Sequence, residues 1–277
     1  MDIELLNRKI REILALHVTS TCNLACSECI MQWQMNDNFT YHMSIEEIER
    51  FIHFTKLSNY KFQRLTISGG EPFLWKNLDE GLKLLMNSGV TNEITVFTNA
   101  VFYKKLTPSI IKNITTIRVS YYDHLQGGTD NTEHIKELQK IHPKVEVVPR
   151  DVFTRIPSEP IHSTEEVRCK NLYTQYYNGN IYACAHAHSL ALKVGSKIKT
   201  GEPIGINYLD NTVEIRKGQH TDLCSVCVSN ASISSKFTKT KNINGSRLDQ
   251  IKQLKSTQEI LKERSESIKS QNLTDTL

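Results

Sequence analysis

The stretch "ILALHVTSTCNLACSEC", residues 13–29, runs from a strand-like apolar segment directly into three cysteines. Residues 13–19 read as a buried strand, because their apolar character is nearly continuous. Cys22, Cys26 and Cys29 follow just past its C-terminal end, where α/β folds collect functional groups. Three thiols cannot all pair as disulfides, and a closed structural zinc site needs four ligands. Three thiolates on one tight loop can ligate three corners of a cubane iron–sulfur cluster, leaving one iron for an exogenous ligand. The alternatives are three buried cysteines, or a zinc site completed by His17 or His42.

Outward from this segment, strand-like runs alternate with helical ones. "RLTISG" (64–69), "EITVFT" (93–98), "TIRVSYY" (116–122) and "VEVVP" (145–149) read as further buried strands. "SIEEIERFIHFTKL" opens with a capping box, Ser44 and Glu47. "NLDEGLKLLMNSG" ends on Gly89 as a C-cap, and "NTEHIKELQKIH" is bounded by Pro143. Such alternation implies parallel strands joined by right-handed crossovers. Five strands suit an α/β fold built as an open, partial (β/α) TIM-like barrel.

Composition is that of a globular chain: 277 residues, 39% hydrophobic, 23% charged and a net charge of +4. Basic residues are spread along the chain, which does not point to nucleic acid. The N-terminal residues mix acids and bases and contain no run suited to a signal peptide or membrane span. The expectation is a cytoplasmic protein with no membrane partner, whose seven cysteines serve as thiols or ligands rather than disulfides.

"SGGEP", residues 68–72, ends the second strand. Gly69 and Gly70 remove side chains where a backbone must approach a ligand, and Glu71 supplies an acceptor for an amino group. Alone the motif is a turn; beside a cysteine triplet at the preceding strand end it becomes a site. The pair "CNLACSEC" and "SGGEP" resembles the radical S-adenosylmethionine (SAM) superfamily over residues 13 to 150. The resemblance implies a [4Fe–4S] cluster on Cys22, Cys26 and Cys29, with SAM as ligand to the open iron, and reductive cleavage of SAM to a 5′-deoxyadenosyl radical. Glu28 stands where the family usually carries an aromatic residue. By the same analogy Thr98 and Asn99, ending the third strand, and Ser120, ending the fourth, contact SAM.

The other four cysteines are Cys169 and Cys184, with Gly179 between them, and Cys224 and Cys227. Four soft ligands in two groups suit zinc or a second cubane. Their spacing resembles the auxiliary-cluster region of the SPASM and twitch subfamilies, in the shorter twitch form with one auxiliary [4Fe–4S] cluster. The implied organisation is a radical SAM partial barrel (1–150), a linker (151–168), a small α+β twitch-type domain (169–240) and a C-terminal helix and tail (241–277). Three plus four ligands use all seven cysteines and leave no thiol to return a hydrogen atom. That favours net two-electron oxidation, with the auxiliary cluster accepting an electron. The pattern is similar to the twitch dehydrogenases that oxidise 2-deoxy-scyllo-inosamine, which implies a sugar or cyclitol alcohol as substrate.

Arg150 and Asp151 follow the fifth strand and are the candidates to orient the substrate hydroxyl and remove its proton. His186 and His188 in "CAHAH" are placed to tune the second metal centre or line the substrate pocket. A small-molecule substrate is preferred over a peptide. About a dozen residues precede the first strand, so a leader-binding domain is not expected there, which lowers but does not remove the peptide option. The other readings are a ribosomal-peptide maturase, a nucleoside- or nucleic-acid-modifying enzyme, and a non-catalytic iron–sulfur or zinc protein. The enzymatic readings require an electron donor such as flavodoxin or ferredoxin.

Overall fold

A computed structural model describes residues 9–24, 41–121, 131–149, 152–154, 174–182, 184, 201–210 and 239–241. The sheet grows from β1 (Lys9–Thr19), whose Leu14, Leu16 and Val18 are fully buried on one face. β2 (Tyr60–Gly69), β3 (Thr91–Thr98), β4 (Thr116–Tyr121) and β5 (Val145–Pro149) add in sequence order, each parallel to the last. β1 and β2 begin earlier than predicted, at Lys9 rather than Ile13 and at Tyr60 rather than Arg64. In β2, Tyr60 and Phe62 are fully buried and alternate with exposed or half-buried Lys61 and Gln63, a period-two pattern that broken apolar content conceals.

The crossovers carry α1 (Ile45–Leu57), α2 (Leu78–Asn87), the short α3 (Pro108–Ile111) and α4 (Thr132–Ile141). The capping box of α1 is formed as expected: Glu47 N donates to Ser44 Oγ at 3.2 Å, and Ser44 N donates to Glu47 Oε2 at 3.0 Å. Right-handed crossovers in a sequentially ordered parallel sheet put these helices on one face. There Ile48, Phe51, Leu82 and Leu85 pack with Leu14, Leu16, Ile67, Val96 and Ile117 to form the main core. The opposite face of the sheet is the barrel interior.

The sheet does not stop at β1. β7 (Thr174–Tyr177) pairs with β1 in parallel, and β8 (Asn180–Tyr182) and β9 (Gly201–Pro203) follow antiparallel, giving the order β5-β4-β3-β2-β1-β7-β8-β9. β7 and β8 form a tight hairpin around Asn178 and Gly179, with φ of 48° and 72°. Within the expected linker, β6 (Val152–Thr154) forms a separate ladder with β10 (Lys239–Lys241). The stretch 151–168 therefore contains a strand. The expected C-terminal helix, at 247–269, lies outside the described residues.

Candidate active site

The site gathers at the carboxyl ends of β1 to β4. The cysteine loop leaves the end of β1 and returns at Tyr41, and its stem is closed by backbone and side-chain bonds. Ser20 N donates to Tyr41 O at 3.0 Å, Tyr41 N to Ser20 Oγ at 2.9 Å, and Met43 N to Val18 O at 2.8 Å. Thr19 sits inside this stem. Its hydroxyl donates to Tyr41 O at 3.0 Å, leaving its lone pairs for Thr21 N at 3.1 Å and His42 Nδ1 at 3.1 Å. A register shift between His17 and Thr19 marks a bulge, which redirects the strand end into the loop. Cys22 follows, its Sγ receiving the amide of Leu24 at 3.4 Å. Cys26 and Cys29 lie outside the described residues.

Gly69 and Gly70 are required by that stem. A Cβ on Gly69 would stand 2.3 Å from Thr19 O, and one on Gly70 2.3 Å from Thr21 O. Gly69 also adopts φ +138°, a conformation side chains rarely accept. Their amide neighbours are drawn tightly in: Gly70 N donates to Thr19 O at 2.7 Å and Glu71 N to Thr21 O at 2.8 Å. The expectation was that these glycines make room for a ligand; the close approach seen here is to the protein's own backbone. The backbone leading to Cys22 itself demands them, because β2 zips onto the loop stem beyond the last regular strand pair.

Glu71 is 1% exposed. Its carboxylate accepts from Thr98 Oγ1 at 2.6 Å, Asn99 N at 2.8 Å and Phe73 N at 3.1 Å. Burial raises its pKa from 4.5 to about 7, outweighing the opposing pull of those three donors. Glu71 therefore binds the end of β2 to the end of β3. Thr98 completes the turn by accepting from Ala100 N at 2.9 Å.

Asn99 extends the network back to the cysteine loop, with its Nδ2 donating to Asn23 Oδ1 at 2.9 Å. Asn131, fully buried at the start of α4, donates to Asn99 O at 2.9 Å and Ser120 O at 2.8 Å. The structure thus brings Cys22, Gly69, Gly70, Glu71, Thr98, Asn99 and Ser120 to one rim. Asn23 and Asn131 escaped sequence reading, although Asn23 adjoins the first cysteine and Asn131 occupies a helix-opening position, both legible signals. Thr19 and Tyr41 carry no such local signal.

Of the second cysteine set, Cys184 lies just beyond β8, on the hairpin that Gly179 turns. Cys169, Cys224 and Cys227 lie outside the described residues, as do Arg150, Asp151, His186 and His188. His17 faces β7, its Nδ1 2.5 Å from Gln175 Nε2. A cavity of about 480 Å³ lined by Ile13, Gln63, Arg64, Asn92 and Glu93 opens at the amino ends of β1 to β3, away from this rim. On donor chemistry the rim fits an iron–sulfur cluster: a cysteine at a strand end, a backbone amide on its sulfur, and two further thiols on the same loop.

Comparison with known proteins agrees. The family model described as Radical SAM superfamily matches residues 16–147. Curated relatives include a GTP 3',8-cyclase of Staphylococcus epidermidis, 31% identical over 104 residues, covering 36% of this chain and 30% of that protein. Another, from Nautilia profundicola, is 28% identical over 110 residues, covering 38% of this chain and 32% of that protein. The chain thus spans about a third of the length of these relatives. A crystal structure of BtrN in an open conformation aligns with a TM-score of 0.49 at 18% identity, over 80% of this chain and 93% of that one. Residues 16–147, which hold the cysteine loop, the glycine pair and Glu71 on one parallel sheet, are thus the part of the chain that is similar to the radical SAM superfamily.

Proposed function

We propose that this protein is a radical SAM oxidoreductase that converts a small alcohol, of the sugar or cyclitol class, to the ketone. The observation that carries the reading is the convergence of the Cys22 loop stem, Gly69–Gly70 and the Glu71 clamp at one rim. Cys22, Cys26 and Cys29 hold a [4Fe–4S] cluster, and Glu71, Thr98, Asn99 and Ser120 frame the SAM. Bound there, these groups supply reductive SAM cleavage and removal of a hydrogen atom from the substrate carbon.

Arg150 orients the substrate hydroxyl and Asp151 takes its proton. Cys169, Cys184, Cys224 and Cys227 would hold an auxiliary [4Fe–4S] cluster, which would supply the acceptor for the remaining electron. Loss of a hydrogen atom, a proton and an electron balances the change from alcohol to ketone. Support for oxidation comes from the cysteine count, since seven ligands leave no thiol to return a hydrogen atom. Support for an electron path comes from the β7–β8 hairpin, which carries Cys184 and rests against β1, the strand that leads to Cys22.

The test is anaerobic reconstitution with iron and sulfide counts, and 5′-deoxyadenosine assayed under dithionite. About eight irons in the wild type, and about four in Cys224→Ala/Cys227→Ala with SAM cleavage retained, is the expected result. Four irons and one zinc in the wild type would remove the electron acceptor and overturn the oxidation. The curated GTP 3',8-cyclases favour a second reading, redox-neutral chemistry on a nucleotide. Consumption of GTP without ketone formation would identify it.

A further inference from the structure

One row of residues crosses the barrel interior just beneath the rim. His17 pairs with Ser68, Phe97 with Arg118, and Arg118 with Glu146, while the Ile67–Val96 register sets Ser68 beside Phe97. Arg118 stands two residues before Ser120 on β4, roughly 7 Å below it. Its neighbours Ile117 and Val119 are fully buried on the helix face, so Arg118 belongs to the interior face.

Arg118 Nε donates to Glu146 Oε2 at 2.6 Å, and the guanidinium lies 5.5 Å from the centre of the Phe97 ring. The two charged side chains are 37% and 42% exposed, open to the interior. An ion pair this exposed contributes little to stability, so folding alone gives it little reason to stand inside a barrel. Glu146 and Phe97 fix the guanidinium, which keeps its two terminal nitrogens as donors, and the carboxylate keeps its other oxygen as an acceptor.

We propose that Arg118 and Glu146 form the substrate-recognition pair, taking two neighbouring polar substituents of a hydroxylated ring that carries no phosphate. The inference rests on the functional reading above and names its substrate class. A donor fork beside an acceptor matches a vicinal diol or amino alcohol, in which one oxygen accepts and the neighbouring hydroxyl or amine donates. Glu146 cancels the charge of Arg118, and the row holds no second arginine or lysine. A phosphate placed there would face a carboxylate.

The test measures binding to the reconstituted, SAM-loaded full chain by calorimetry. The probes are 2-deoxy-scyllo-inosamine, myo-inositol, glucosamine and GTP. The wild type binds at least one of the three unphosphorylated rings. Glu146→Gln and Arg118→Lys each weaken that binding by about tenfold or more, because each loses a charge-assisted bond. Glu93→Gln, at the amino ends of the strands, leaves it unchanged. Failure of all three rings to bind overturns the proposal. So does equal affinity in both row variants, or GTP binding that the same variants weaken. Ketone formation is read separately: ring binding through this row without ketone keeps the row and discards the oxidation. Ketone formation with an unmoved KM in both variants discards only the row.

Discussion

Glu71 combines two opposed demands. Three donors favour its charged form, and complete burial disfavours it, leaving the pKa at about 7. A carboxyl whose folded pKa exceeds its ordinary value of 4.5 contributes stability that is complete below 4.5 and lost as pH rises through about 7. Glu71→Gln should therefore flatten the pH dependence of stability across that window, measured by anaerobic denaturant titration at pH 5 and pH 8. It should also cost about 1–3 kcal/mol, because an amide NH₂ must face Asn99 N–H or the Thr98 hydroxyl. Gly70→Ala tests the neighbouring constraint. With Thr21 O only 2.3 Å from the new Cβ, the loop stem must move. We expect a loss of about 2 kcal/mol or more, with lowered iron content after reconstitution.

Among elements, the hairpin and the cysteine loop are joined through Tyr41. Its hydroxyl donates to Glu47 Oε1 at 3.0 Å and accepts from Asn178 N, in the hairpin turn, at 3.2 Å. Its ring meets Tyr177 edge-on at 4.7 Å. Burial, reinforced by Glu47, raises its pKa, so the hydroxyl stays a neutral donor. Tyr41→Phe keeps the ring contact and removes both bonds. It should cost about 1 kcal/mol and speed amide exchange at Asn178, read by hydrogen–deuterium exchange. Asn131 does the same for β3, β4 and α4. Asn131→Ala frees Asn99 O and Ser120 O at once and should cost about 1–3 kcal/mol in thermal denaturation.

For the molecule as a whole, residues 201–210 fasten chain distant in sequence onto the barrel. Tyr208 is fully buried, its hydroxyl 2.9 Å from Thr55 Oγ1 and its ring near Phe51 and Tyr60. Asp210 receives Arg11 at 2.7 Å and Tyr60 at 2.9 Å. Tyr208→Ala should lose about 3–5 kcal/mol, as for other large buried aromatics. Far-ultraviolet circular dichroism and tyrosine fluorescence should still report one shared unfolding transition, because this segment is built into the same core. Two separate transitions would show that residues 201–210 only rest on the barrel.

The amino-acid sequence by itself determined the parallel strand–helix alternation, the α1 capping box and the rim residues Cys22, Gly69–Glu71, Thr98 and Asn99. These follow from short-range rules: apolar periodicity, cap chemistry and motifs at strand ends. Their reasons were only partly legible. Gly69 and Gly70 read as space for a ligand, whereas the nearest demand on them is the Thr19–Thr21 backbone. Tertiary structure alone decided that β7 joins β1, that Tyr41 ties the cysteine loop to the hairpin, and that Arg118 and Glu146 share a row inside the barrel. Those contacts link residues far apart in sequence. Their partners are chosen by strand register and by which face each alternating side chain takes, and no local pattern encodes that choice.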